Sequence, residues 1–467
     1  MNVDFSGEWL RDKRESMGLS QARLAEITGI SQHVLSAFEL EKTDLDTAFK
    51  QLIGSAMNDN GAVQDMVGRK KRYREHSYSG DRRDPIRSAG QKVTPGNATY
   101  REDLSAISTR PETVLTGVSL FSGIGGFSAG FRSAGFKIAG FLEIDAGLRK
   151  IYKANFPDAH QLGGDITTIS DQDIQTFSED VGHIDVLIGG PPCQGFSLSG
   201  KRKVDDPRNE LFRDYMRFLD VLKPSVAIIE NVRLLTSMKS RDGTLVKDDI
   251  KRDFEKRGYR VGIFEINAKS FGVPQHRERV IFLAIKGSLG VQPSMPIECF
   301  GPQSDLLQQR ARYRTFGDAC SDLPFIESGE DSPDPHHVAV RHPDHVIHWL
   351  WNVPQGSSAH DNADPSLRPP SGYNTTYKRQ VWDEPASTVQ TTFGMISGCR
   401  NVHPVATRSL TIREAARIQS FPDDYIFTGS LGSIRTGLGN AVPPLLARSL
   451  ALHLRSSLFD LIEIPSF

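Results

Sequence analysis

Apolar and polar positions divide the chain into three regimes. From residue 7 to about 42, Trp9, Leu10, Leu24, Ile27, Ile30, Val34, Leu35 and Phe38 recur at helical intervals. Gly18 and Gly29 punctuate the pattern, and Ser20 and Ser31 are natural N-caps, which predicts helix, helix, tight turn, helix. From about 58 to 113 the periodicity gives way to Gly, Ser, Pro and Arg, with a basic cluster at Arg69-Lys70-Lys71-Arg72, and a flexible basic linker is expected. At Val114 short β-branched runs begin to alternate with amphipathic stretches, the signature of a parallel sheet built from βα units. Strands are predicted at 118–121, 138–142, 183–188 and 226–229, then a hairpin-like pair at 259–266 and 280–285.

From 287 to about 400 the alternation is lost while aromatics persist (Trp349, Trp351, Tyr373), which predicts an inserted domain rather than disorder. A capped amphipathic helix at 410–419 and a last helix ending near 458 complete the pattern. The expected organisation is a helix-turn-helix domain (1–57), a linker (58–113), an α/β domain (114–286), a smaller inserted domain (287–425) and a return to the α/β domain (426–467). The fold class is α/β and Rossmann-like, with an all-α N-terminal domain.

Composition narrows the functions. The 467 residues carry a net charge of −1, so a nucleic-acid partner would be met by a local patch rather than by a global basic balance. Cys193, Cys299, Cys320 and Cys399 form no CxxC pair, which argues against a zinc site or a disulfide framework; no metal is expected. No apolar run reaches membrane-spanning length and no leader pattern opens the chain, so a cytoplasmic protein is expected.

The candidate chemistry lies at strand ends. Cys193 follows the predicted strand at 183–188 within Gly189-Gly190-Pro191-Pro192-Cys193-Gln194-Gly195, where two prolines stiffen the backbone and present a thiol as a nucleophile. Gly123, Gly125 and Gly126 shape the turn after the first strand, and Glu143 stands about 20 residues further on, where dinucleotide folds bind a ribose. Asp165 closes a third unit, and Glu230-Asn231-Val232 closes the strand at 226–229. In the N-terminal segment the second helix of the turn motif would offer Gln32, His33 and Ser36 to a DNA groove.

Taken in order, Phe121-Ser122-Gly123-Ile124-Gly125-Gly126, Glu143, Asp165, Pro191-Pro192-Cys193-Gln194, Glu230-Asn231-Val232, Gln275-His276-Arg277-Glu278-Arg279, Arg413-Glu414-Ala415-Ala416-Arg417 and Gly439-Asn440-Ala441-Val442 resemble the motifs of bacterial DNA cytosine-C5 methyltransferases. Leu19 to Ala25 with Ile30-Ser31-Gln32 resembles phage-repressor DNA-binding domains. The first resemblance implies attack of Cys193 on cytosine C6, with Glu230 at N3 and Arg279, helped by Arg277, at O2. It implies S-adenosylmethionine held by Phe121, Gly123, Ile124, Gly125, Gly126, Glu143, Ile144, Asp165, Ile166, Pro191, Asn440 and Val442. Gln194, Ser197, Lys201 and Arg202 would meet duplex DNA around a flipped base. The glutamine that this family carries shortly before Gly-Asn has no counterpart in 435–439. The implied role is sequence-specific methylation, either as the protective half of a restriction system with a separate endonuclease or as a stand-alone enzyme. The N-terminal domain would bind operator DNA, as a dimer, while catalysis needs a monomer. A regulator with a dispensable methyltransferase body and an RNA cytosine methyltransferase stay open as alternatives.

Overall fold

The computed structural model describes residues 6–16, 21–28, 30, 32–40, 44, 50, 53, 92–112, 115–192, 210–239, 243–302, 310–398 and 400–461. They fall into two units, residues 1–82 and 83–467. In the first unit, helices α1 (Gly7–Ser16), α2 (Gln21–Thr28) and α3 (Gln32–Glu39) follow the predicted order. Leu10, Leu24, Ile30, Leu35, Phe38 and Ile53 are buried together. Glu39 accepts hydrogen bonds from Arg14 Nε at 2.7 Å and from Gln21 Nε2 at 2.7 Å, so one buried carboxylate links all three helices. Burial pushes its pKa up, but the Arg14 and Gln21 bonds outweigh it and hold the carboxyl below its usual value.

The second unit begins differently from the expected linker. Residues Asn97–Ser108 form helix α4, with Tyr100, Leu104 and Ile107 buried at i, i+4 and i+7. Polar neighbours dilute that stripe in the average composition, and the expectation of a flexible tether through 113 is corrected here. Asn97 Nδ2 donates to Asp318 O at 2.9 Å and the Tyr100 hydroxyl donates to Arg417 O, tying α4 to distant parts of the chain.

Among the described residues seven strands form the main sheet: β1 (Leu115–Leu120), β2 (Phe136–Leu142), β3 (His160–Gly163), β4 (Val186–Gly189), β5 (Val226–Val232), β6 (Tyr259–Asn267) and β8 (Glu278–Lys286), with the two-residue β7 (Gln275–His276) outside it. Their order is β3-β2-β1-β4-β5-β8-β6. The first five are parallel, whereas β8 runs antiparallel to both β5 and β6. Side chains alternate between two cores, as strand geometry requires. Ile228, Ile281 and Leu283 face one, with α5 (Gly126–Ser133) and α6 (Ala146–Asn155); Ala227, Ile229, Val280 and Phe282 face the other, with α7 (Asp171–Val181), α8 (Glu210–Leu222) and α9 (Val246–Glu255).

The segment expected as a separate small domain divides its loyalties. Val346 and Leu350 of α11 (Asp344–Leu350) join Val353, Ala359, Ile396 and Val402 in a small core. Phe316 and Cys320 of α10 (Phe316–Cys320), with Val389, Phe393 and Leu410, belong instead to a core of the sheet. Where regular strands are lacking, a buried arginine satisfies the backbone: Arg379 Nη1 donates to the carbonyls of His403 at 3.0 Å, Val405 at 3.0 Å and Ala406 at 2.7 Å, and Nη2 to Leu350 O at 2.8 Å. The chain then forms β9 (Ala386–Ser387), α12 (Ile412–Ile418), α13 (Leu431–Asn440) and α14 (Pro444–Ser457). Among the described residues no helix is long and apolar enough to cross a membrane.

His342 gives this region a measurable pH dependence. Its Nε2 accepts from Ser409 N at 3.1 Å, and burial, with the charges of Arg408 and Arg435, lowers its pKa from 6.5 to about 4. The folded imidazole stays neutral where the unfolded one is protonated, so stability is lost as pH falls from 6.5 towards 4, on the order of 3 kcal/mol from this group. Urea unfolding across that window is predicted to show a shallower pH slope for His342→Gln than for the unaltered chain. Equal slopes would contradict the assignment.

Candidate active site

The chain leaves β3 and returns on the other side of β1 to form β4, so the C-terminal ends of β1 and β4 part at a topological switch point. At the end of β1, Phe121 has φ 52°, Gly123 φ 55° and Gly125 φ 91°. A left-handed phenylalanine costs about 1 kcal/mol, strain of the kind that collects at ligand sites. A Cβ on Gly123 would meet no atom within 4 Å, so this part of the turn is open, whereas one on Gly126 would lie 2.3 Å from Val442 O. Gly126 is therefore demanded by close packing and Gly123 borders free space.

Glu143, at the end of β2, is 7% exposed. Its Oε2 accepts from Gly123 N at 2.8 Å and its Oε1 from Asp145 N at 2.9 Å. Burial raises its pKa, and the two amide bonds offset part of that rise. Beside it Ile144 is 67% exposed, an apolar side chain left in solvent next to a carboxylate. Arg149 Nη1 fixes both carbonyls, Glu143 O at 2.8 Å and Ile144 O at 2.6 Å. Asp165 caps the short helix after β3, its Oδ1 accepting from Thr167 N at 3.0 Å and Thr167 Oγ1 at 2.8 Å; Oδ2 has no hydrogen bond among the described residues. Asn440 ends α13 with its side chain exposed, and Val442 is buried over Gly126. An open glycine turn, a carboxylate at the next strand end and an exposed isoleucine between them fit a nucleoside cofactor with a flexible tail. Ile124 and Ile166 are 1% and 2% exposed, with their side chains packed into the two cores, which leaves only their backbone to meet a ligand.

The other wall is built by β4, β5 and β8. Cys193, Gln194, Ser197, Lys201 and Arg202 lie outside the described residues, as does the side chain of His33. The loop that leads to Cys193 is described as far as Pro192. Asn231 Nδ2 donates to Pro191 O at 2.9 Å while its Oδ1 accepts from Val232 N at 2.8 Å, so this amide pins the start of the loop to the end of β5. The position of Asn231 in the Glu-Asn-Val motif does not by itself reveal this task. In the antiparallel pairing of β5 with β8, Glu230 stands opposite Ile281 and Val232 opposite Arg279. Glu230 and Arg279 are thus diagonal neighbours on one face. Arg279 Nε lies 2.7 Å from Glu230 Oε1, with both side chains largely buried. The contact is an ion pair rather than a directed hydrogen bond, because that oxygen has no partner of hydrogen-bonding geometry. A Cβ on Gly190 would lie 3.5 Å from Glu230 Oε2, which puts the carboxylate beside the loop to Cys193.

Arg277 does not join this pair. It is 1% exposed, with Nη2 donating to Gly439 O at 2.9 Å and Ala441 O at 2.9 Å and Nη1 donating to Val389 O at 3.3 Å. The expectation that it holds a base beside Arg279 is corrected: Nη1 and Nη2 are held by backbone carbonyls of irregular segments, while Nε has no hydrogen-bond partner among the described residues and the charge is still felt by Glu230 and Arg279. Gln275 adds to the same clamp, its Oε1 accepting from Val389 N at 3.0 Å and its Nε2 donating to Gln419 Oε1 at 2.9 Å. Gln419 Nε2 in turn donates to Leu438 O, supplying an amide to the segment in which 435–439 carries no glutamine. In the first unit, Gln32 is exposed at the start of α3 and Ser36 follows one turn later, half-buried.

Replacing Arg277 by Met leaves its three carbonyl partners without their donor and is predicted to destabilise the chain by at least about 3 kcal/mol in urea unfolding. A change below about 1 kcal/mol would contradict the clamp.

Residues 115–456 match the C-5 cytosine-specific DNA methylase family, and residues 10–51 match a helix-turn-helix family. The chain is 37% identical to the Type II methyltransferase M1.HphI of Haemophilus parahaemolyticus, over 72% of this chain and 86% of that one. It is 35% identical to the Type II methyltransferase M.DdeI of Desulfomicrobium norvegicum, over 72% and 87%. Among solved structures it is similar to an E. coli chain encoded within a prophage and described as a DNA modification methyltransferase, with a TM-score of 0.58, 25% identity and coverage of 73% and 99%. The matched segment contains the switch point and every strand that frames it, and the chain belongs to the C-5 cytosine-specific DNA methylases.

Proposed function

We propose that this chain methylates C5 of a cytosine flipped out of duplex DNA at a specific sequence, with S-adenosylmethionine as methyl donor and Cys193 as nucleophile. The observation that carries the proposal is the Glu230–Arg279 pair, held beside the loop to Cys193 and across the switch point from Glu143. Cytosine C5 is a weak nucleophile. Bonding of Cys193 Sγ to C6 makes C5 enamine-like, while a proton or hydrogen bond from Glu230 at N3 and the guanidinium of Arg279 at O2 offset the charge that builds on the ring. When bound, the cofactor supplies an electrophilic methyl group. Loss of the C5 proton to a base or water then expels Sγ and restores the aromatic ring.

On the cofactor side, Glu143 would accept from the ribose hydroxyls with its remaining lone pairs, Ile144 would cover one face of the adenine, and the Oδ2 of Asp165 would accept from its amino group. Phe121, Gly123, Gly125, Gly126 and Asn440 would border the methionine part. Asn231 is a positioning residue, since the loop to Cys193 starts from the carbonyl that it holds. Residues 287–425 would choose the sequence, as the protective methylase of a restriction system. Residues 1–57 would bind operator DNA with Gln32 and Ser36.

A duplex carrying 5-fluorocytosine at the target tests the covalent step. Fluorine at C5 cannot leave as a proton does, so the unaltered chain is predicted to form a denaturation-resistant protein–DNA adduct that Cys193→Ser does not form. An adduct in both proteins would contradict the role of Cys193. For the first unit, deletion of residues 1–57 is predicted to abolish a promoter footprint while methylation persists, and a surviving footprint would contradict operator binding.

A further inference from the structure

Glu143 and Asp165 are carried by neighbouring strands, yet the sheet itself does not fix them. β2 and β3 pair in parallel, and their last matched residues are Leu142 and Gly163, after a register shift between Phe141 and Leu142. Glu143 and Asp165 both lie beyond that pair. Backbone past the end of a ladder keeps its place only where other donors hold its carbonyls.

Arg149, on α6, supplies the first such donor. A single nitrogen, Nη1, donates to Glu143 O at 2.8 Å and to Ile144 O at 2.6 Å. A Cβ on Gly164 would lie 3.1 Å from that same nitrogen, so it also abuts the residue before Asp165. Helix α6 starts directly from this segment. Its N-cap Asp145 accepts from Gly147 N at 2.7 Å and Leu148 N at 2.9 Å, which sets where Arg149 stands.

Arg217, on α8, supplies the second. Its Nη2 donates to Ile166 O at 2.8 Å and its Nη1 to Ile169 O at 2.6 Å, which holds both ends of the short turn that Asp165 caps. The guanidinium is itself oriented by Asp171 Oδ1, 3.0 Å from Nη1, and by Asp214 Oδ1, 3.3 Å from Nε and 3.2 Å from Nη2. Donors fixed in one plane hold paired carbonyls more rigidly than a flexible ammonium would. Both arginines stand outside the motif residues of the sequence.

We infer that Arg149 and Arg217 are positioning residues for the adenosine end of the cofactor: Arg149 sets Glu143 against the ribose hydroxyls, and Arg217 sets Asp165 against the adenine amino group. The inference rests on the cofactor site proposed above. Each arginine acts through the backbone that carries a carboxylate, so its loss is felt only where the ligand offers the group that this carboxylate meets.

The test is calorimetric binding of S-adenosylhomocysteine by the full chain, beside two analogues. One has purine in place of adenine and so lacks the amino group; the other has a ribose without its hydroxyls. Arg149→Met is expected to bind S-adenosylhomocysteine about tenfold more weakly than the unaltered chain, but the analogue without ribose hydroxyls within about threefold. Arg217→Met is expected to show the same loss of about tenfold with S-adenosylhomocysteine and agreement within about threefold on the purine analogue. An equal loss on all three compounds, or no loss with S-adenosylhomocysteine, would overturn the inference. Failure of the unaltered chain to bind S-adenosylhomocysteine would remove the cofactor site and this inference with it. Arg149 is half-buried on α6, so Arg149→Met keeps the test decisive should Arg217→Met fail to fold.

Discussion

Glu230 and Arg279 can meet only because β8 runs against β5. Parallel strands deliver their C-terminal residues to one edge of a sheet, and that edge holds Glu143 and Glu230 as the ends of β2 and β5. An antiparallel strand brings its first residues to the same edge, so β8 adds a guanidinium where the parallel strands supply carboxylates. The pair then shares a face by register rather than by a flexible reach. Asn231, one residue along, uses the opposite direction of the pleat to hold Pro191. One strand end thus fixes both the carboxylate and the start of the loop to Cys193.

Elsewhere the fold relies on buried arginines for what strands do in the sheet. Arg379 gathers the carbonyls of His403, Val405 and Ala406, and Arg277 joins Val389 to Gly439 and Ala441. Arg408 binds both oxygens of Glu414, at 2.8 and 2.7 Å, and Glu414 also closes a capping box with Thr411 at the start of α12. Burial raises the Glu414 pKa, and the Arg408 bonds overcome that rise and hold the carboxylate ionised far below its usual range. Each guanidinium offers several donors in a fixed plane, which suits backbone that has no ladder to join.

Much of this was legible in the residue order. β-Branched runs marked the strands because a strand buried on both faces needs apolar side chains at nearly every position, and Glu143 and Glu230 lie at the ends of β2 and β5, as expected. Helix α4 was hidden because its three large apolar residues and two alanines in twelve leave a polar average, and only the spacing of Tyr100, Leu104 and Ile107 carries the signal. Arg277 and Arg279 look equivalent in sequence. Their fates differ because one sits before β8, facing carbonyls of distant loops, and the other sits inside β8, opposite Val232. Ile124 and Ile166 neighbour ligand-facing positions in their motifs, yet turn into the cores. Arg149 gave no sequence signal, because a lone arginine on a surface helix does not announce which carbonyls it will reach.

The central claim is that the crevice methylates cytosine C5 in DNA through Cys193. Base-resolution mapping of 5-methylcytosine in a methylation-free bacterial host tests it most directly, with one culture expressing this chain and another expressing Cys193→Ala. The predicted result is 5-methylcytosine confined to one short consensus in the first culture and absent from the second. Unmodified DNA in both, with soluble protein present in each, would contradict the claim.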